Sequence, residues 1–171
     1  MRVLSRAKLC VCLGVLAACG GGGGGGSAAG VLPKLLIDDV TVALAAPRAA
    51  LVVGLAGTAA ELPPLAQFDL LLDASRVVFD GTAEPLVSLG TLDAALVAAG
   101  RIRVLVGDTS TKDTPPLLPT GPLLRLPFAL GPAARSGDLI EVRVAAALGA
   151  DADGDAKTFD TAPVVARIRV Q

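Results

Sequence analysis

The chain has 171 residues, with 15 basic and 16 acidic side chains and a formal net charge of −1, and no basic cluster of the kind that tracks a phosphate backbone, which argues against nucleic acid as a ligand. It contains no His, Trp or Tyr. A Ser-His-Asp or Cys-His arrangement is therefore impossible, the commonest general base is missing, and the usual stacking platforms for sugar rings are absent; the expectation is a protein that is not an enzyme.

The first element is a targeting segment. Arg2, Arg6 and Lys8 precede a short apolar core, Leu9 to Leu16. That core is far shorter than the roughly 20 residues a membrane span needs, and the order of charge, apolar core and small residues is that of a secretory signal. Leu16-Ala17-Ala18-Cys19 resembles the lipobox of bacterial lipoproteins at all four positions. The resemblance implies cleavage after residue 18, a diacylglyceryl thioether on Cys19 and acylation of its new amino group. Gly20 stands where an aspartate would resemble an inner-membrane retention signal, so the outer membrane is the expected location, on its periplasmic or surface face. Residues 19–30 are glycine-rich and read as a tether, with a reach on the order of 20 Å. The glycines match G-x-G-x-x-G only trivially, with no strand before them and no helix after.

Residues 31–171 make roughly 140 residues, one domain's worth. All three cysteines (Cys10, Cys12, Cys19) lie in the signal or at its end, so the domain must fold without disulfides. Val40 to Leu44 and Leu51 to Leu55 are the first expected strands. Gln67 to Asp73 places Phe68, Leu70 and Leu72 on one face, and Arg76 to Phe79 follows after a turn at Asp73. Thr91 to Ala99, closed by Gly100, is the one stretch expected to be helical. Arg101 to Val106 turns Ile102, Val104 and Val106 inward and both arginines outward. Leu123 to Leu130 aligns Leu124, Leu126, Phe128 and Leu130, and Pro127 requires an edge position or a bulge there. Leu139 to Ala145 sets Ile140, Val142 and Val144 against Glu141 and Arg143. Val164 to Val170 sets Val164, Ala166, Ile168 and Val170 against Arg167 and Arg169. Alternation with period 2, punctuated by Gly, Pro, Asp and Ser, describes strands with one buried face. The expected fold is all-β, an antiparallel sandwich of jelly-roll or immunoglobulin-like type.

Three segments in order resemble one family. Phe68-Asp69-Leu70-Leu71-Leu72-Asp73-Ala74-Ser75-Arg76-Val77-Val78-Phe79 is similar to the strand, Asp-containing turn and aromatic-ended strand of cohesin domains. Gly121 to Leu130 is similar to their alternating strand with Phe, and Asp151 to Asp155 falls where they often carry an Asp-Gly turn before the last strand. Leu72 and Ala74 replace the tyrosine and proline that usually flank the turn aspartate. The resemblance spans roughly Leu51 to Val170. It implies a nine-stranded jelly-roll sandwich and a protein-binding role, with a calcium-loaded dockerin as the family's partner; no partner-binding residue carries over by motif. A carbohydrate-binding module on the same sandwich shape, and a structural envelope lipoprotein with no soluble ligand, are the other readings.

One cluster has the composition of a metal site. Asp151, Asp153 and Asp155 alternate in DADGD and could present oxygens to Ca²⁺. An EF-hand loop counted from Asp151 would need glycine and glutamate at Ala156 and Ala162, and the same residues suit a tight turn. The turn is the reading taken, and no other cofactor is expected. Asp73 is expected to bond its own turn. Asp69, Glu61 and Glu84 could pair as acid and base, although no spacing supports it. The polar stretch Gly107 to Thr114 reads as a solvated loop, and the outward Arg101, Arg103, Arg143, Arg167 and Arg169 as either solvent-facing or interface residues.

Overall fold

The computed structural model describes residues 32–108, 115–160 and 162–171. The signal segment, Cys19 and the tether lie outside the described residues, as does most of the polar loop, at 109–114. Among the described residues, twelve strands form two sheets. The first sheet holds β1 (Lys34–Ile37), β3 (Arg48–Ala56), β9 (Gly121–Leu130) and β5 (Val77–Phe79), in that order, with the two-residue β6 (Glu84–Pro85) also paired to β9. The second runs β2 (Val40–Val42), β12 (Val165–Val170), β10 (Leu139–Ala150), β4 (Leu65–Leu71), β8 (Arg101–Gly107) and β7 (Thr91–Ala98), with β11 (Ala156–Thr158) paired to β10. Strands β1 to β5 switch sheet at each step, which gives a jelly-roll crossing of the core. All pairings are antiparallel except β2 with β12, which is parallel. Four of the twelve, β2, β5, β6 and β11, are fragments of two or three residues, which leaves eight longer strands beside the nine expected.

The alternating residues meet between the sheets. Leu51, Val53 and Leu55 from β3 and Leu124, Leu126 and Phe128 from β9 face Phe68 and Leu70, Ile102, Val104 and Val106, Ile140 and Val142, and Ala166, Ile168 and Val170. Burying such side chains contributes about 1.5–3 kcal/mol each before conformational entropy is counted. With no disulfide, this apolar layer holds the fold.

Two expectations are corrected. Thr91 to Ala98 is a strand, not a helix. Its alanines favour a helix by intrinsic propensity, but Leu92 and Ala94 pack on the core and the segment pairs in register with β8. Gly100, at φ +71°, serves the β7–β8 turn, where an added Cβ would lie 2.3 Å from the Leu72 carbonyl oxygen. Pro127 lies within an inner strand with no bulge at its position. It pairs with Ala50 on one side. Its carbonyl faces Asp80, in the gap where β5 has ended and β6 has not begun. Because N–H and C=O of one residue point the same way in an antiparallel strand, its missing donor faces that gap and strands no acceptor. The bulge on β9 falls at Leu123, between the pairs Val53↔Leu124 and Gly54↔Pro122, and both Leu123 and Leu124 are buried as a result.

Candidate functional site

The outer face of the β10–β4–β8–β7 sheet is where polar chemistry and exposed apolar surface coincide. Register fixes which residues share it. Leu71 stands between Arg143 of β10 and Arg101 of β8; Asp69 between Ala146 and Arg103; Gln67 between Leu148 and Leu105. On β7, Ala95 lies opposite Arg103 and Asp93 opposite Leu105. Leu148 is 54% exposed, Leu139 53% and Leu71 41%, with Val165 close behind. Leu148, Leu65 and Leu105, with Arg101 and Arg103, line an open trough of about 630 Å³.

Asp69 is the one buried charged residue among the described residues, at 2% exposure. It is buried by its partners. Arg103 donates from Nε to Oδ1 at 2.8 Å and from Nη2 to Oδ2 at 3.1 Å. Arg101 donates from Nε to Oδ2 at 2.8 Å, and its Nη2 also reaches Oδ2. The bonds from Arg103, and then those from Arg101, hold the Asp69 carboxyl below its ordinary value, against the opposing pull of burial. Asp69 in turn raises Arg103. Two guanidiniums on one carboxylate leave the triad with a residual charge of +1, on side chains still 43% and 44% exposed. This excludes Asp69 as half of an acid–base pair: it is saturated with donors and held ionised, with neither Glu61 nor Glu84 among its partners.

The remaining site residues fall into two groups. Arg143 Nε donates to Glu141 Oε2 at 3.0 Å two residues along the same strand, which lowers the Glu141 carboxyl. The Arg167 backbone N–H donates to Asp39 Oδ1 at 2.7 Å, next to the β2 edge. These border the face. Asp73 is away from it and does what its turn requires: Oδ1 accepts the Ser75 N–H at 2.9 Å and the Ser75 hydroxyl at 2.6 Å, which lowers the carboxyl.

The acidic loop closes the β10–β11 hairpin. Asp151 Oδ1 accepts the N–H groups of Asp153 at 3.1 Å and Asp155 at 2.8 Å, and its own N–H donates to the Asp155 carbonyl at 3.0 Å. Gly154, at φ +87°, supplies the left-handed position. Asp151 is thus directed into the turn, and among the described residues no three His, Cys, Asp or Glu side chains converge as a metal site would need.

The arrangement defines a class first: a two-sheet, all-β module with a wide open face. The particular fold is that of cohesin modules. The sixth cohesin of scaffoldin B from Acetivibrio cellulolyticus, solved in complex with a dockerin, matches with a TM-score of 0.69 at 16% identity, over 82% of this chain and 100% of that one. A cohesin from Clostridium acetobutylicum matches at 0.67 and 19% identity, over 83% and 92%. A type III cohesin from a cell-surface anchoring scaffoldin of Ruminococcus flavefaciens matches at 0.64 and 18%, over 82% and 88%. No family model and no curated protein matches the sequence.

The two-arginine clasp on Asp69 is the feature that sequence reasoning missed. Its signal was present: a lone aspartate in mid-strand at an outward position, and two arginines at alternate positions of a second strand. Joining them needs the β4–β8 register, which brings Asp69 opposite Arg103 and Leu71 opposite Arg101.

Proposed function

We propose that this chain is an exported, lipid-anchored module that binds a protein through the outer face of its longer sheet. The single observation carrying the reading is the composition of that face: exposed Leu71, Leu139, Leu148 and Val165 among arginines, around a fixed ionic cluster. Apolar side chains at a centre with arginine donors beside them are what protein interfaces are built from. The cohesin fold supports it, since solved relatives of that fold were captured with a dockerin bound, and a small dockerin-like protein is the partner class the reading names. Cys19 carries the lipid and residues 20–30 the tether, which would hold the face clear of an outer membrane. A polysaccharide is disfavoured because the chain has no Trp or Tyr to stack on sugar rings.

The test is capture with the full chain as bait, from the envelope and secreted fractions of the source organism, run beside binding to insoluble cellulose, chitin and peptidoglycan. A saturable protein partner is expected. Saturable retention on a glycan with no protein captured would replace this reading by the carbohydrate-binding one.

A further inference from the structure

We infer that the Asp69–Arg101–Arg103 triad is a preformed carboxylate receptor, so that the partner of this face presents an Asp or Glu side chain flanked by apolar residues. This rests on the protein-binding reading above and specifies the chemistry of the partner.

The donor inventory carries it. A guanidinium has five N–H donors and no acceptor. Asp69 takes one Nε–H and one Nη2–H from each arginine. Three N–H groups remain on each, and among the described residues no other acceptor meets them. The Asp69 oxygens, by contrast, already accept four bonds at 2% exposure, so a cationic ligand finds no free acceptor there. Asp93, opposite Leu105 on the neighbouring strand, forms no ion pair with either arginine. The receptor is therefore a donor-only surface of charge +1 on a chain whose net charge is −1.

The clasp also fixes geometry. Free arginines on a sheet face would lose rotamer freedom on docking; these two are already pinned by bonds to a buried carboxylate that cannot move with them. Charge-assisted, bidentate bonds from arginine are strong and directional. Leu71, Leu105 and Leu148 stand one register step away, so a carboxylate seated on the triad would be ringed by apolar contact that excludes water. A bare anion would leave those leucines wet, which selects a protein carboxylate with apolar neighbours over a free ion or a polar polyanion.

The experiment is a selection from a displayed library of small helical scaffolds with randomised surfaces, using the full chain as bait. The enriched clones are then measured against three variants. Asp69→Asn/Arg101→Gln/Arg103→Gln removes the receptor without stranding a buried charge. Arg101→Lys/Arg103→Lys keeps the positive charges and loses the forks. Leu148→Asp spoils the face itself. Melting temperature reports whether each remains folded. The expected result is enrichment of Asp or Glu beside Leu, Ile or Phe, and binding weakened at least tenfold by the neutral triad, by the lysine pair and by Leu148→Asp. Glu→Gln in a clone should weaken it equally. Clones sensitive to Leu148→Asp but indifferent to both triad variants would overturn the receptor and leave the binding face standing. Clones indifferent to Leu148→Asp as well, or no clones, would remove both. Binding of polygalacturonate with the same arginine dependence, and no acidic clone enriched, would assign the triad to an acidic glycan instead.

Discussion

Removing both arginines from Asp69 should be far more damaging than removing all three charged groups together. In Arg101→Met/Arg103→Met the methionine stems still cover the sheet, but the Asp69 carboxylate, 2% exposed in the parent, loses all four of its donors. Stranding one member of a buried ion pair costs about 3–5 kcal/mol. The lower end applies here, because the two guanidiniums are themselves more than a third exposed and the opened site admits water. A loss of about 3 kcal/mol at pH 7 corresponds to a Tm lower by roughly 10 °C for a domain of this size. Asp69→Leu/Arg101→Met/Arg103→Met should recover the parent stability to within about 1 kcal/mol, since an apolar replacement of a buried ionic cluster is often neutral or better. The pH dependence separates the cases by sign. In the parent, Asp69 titrates lower in the folded chain than in the unfolded one; its contribution is present above the unfolded value near 3.9 and is lost as pH falls through the lower, folded one. In the double variant burial acts alone and raises the carboxyl, so the penalty is largest at neutral pH and shrinks on acidification. The absence of Trp and Tyr leaves only weak phenylalanine emission, so urea unfolding should be followed by far-ultraviolet circular dichroism, with equal slopes required before midpoints are compared. A double variant as stable as the parent, or one whose penalty grows toward low pH, would refute the reasoning.

The other predictions concern separate parts of the chain. Labelled palmitate should enter the wild type and not Cys19→Ala, which should leave the membrane fraction; equal labelling of the two sinks the lipid anchor. Millimolar calcium should leave the Tm unchanged, whereas a tight site at 100 times its Kd would add about 2.7 kcal/mol; a rise of several degrees abolished by Asp153→Ala would make the acidic loop a calcium site. Asp151→Ala should cost about 1 kcal/mol through its two lost acceptor bonds, and Asp153→Ala, whose carboxylate accepts no hydrogen bond among the described residues, within about 0.5. Gly100→Ala should cost more than about 2 kcal/mol, a left-handed backbone combined with a Cβ against the Leu72 carbonyl; Gly154→Ala, left-handed but with nothing within 4 Å of its Cβ, should cost about 1, and equal costs would mean that contact carries no energy.

Strands whose inner residues alternate strictly were legible from sequence because one-sided burial writes its period into the chain: Ile102, Val104 and Val106 on β8 and Ala166, Ile168 and Val170 on β12 are buried as expected. The failures occur where a distant pairing overrides a local preference. Alanines made Thr91 to Ala98 look helical, and only β8 alongside makes it a strand. Alternation predicted Leu124 inward and Leu123 outward, and a bulge buries both. The polar cluster was hidden for the same reason. Asp69 and Arg103 are 34 residues apart, so nothing local distinguishes a clasped arginine from a solvated one. The Asp73 and Asp151 turns were legible because each aspartate bonds backbone within four residues of itself.

The most direct test of the proposed binding face compares two exposed apolar residues on opposite sheets. Leu148 lies on the outer face of the longer sheet, and Val78, 48% exposed on β5, on that of the shorter one. Affinity for the captured partner should be measured by calorimetry for the parent, Leu148→Asp and Val78→Asp, each with its Tm recorded. The account predicts at least a tenfold loss for Leu148→Asp and an unchanged Kd for Val78→Asp. The reverse pattern, or equal affinity for all three proteins, would contradict it.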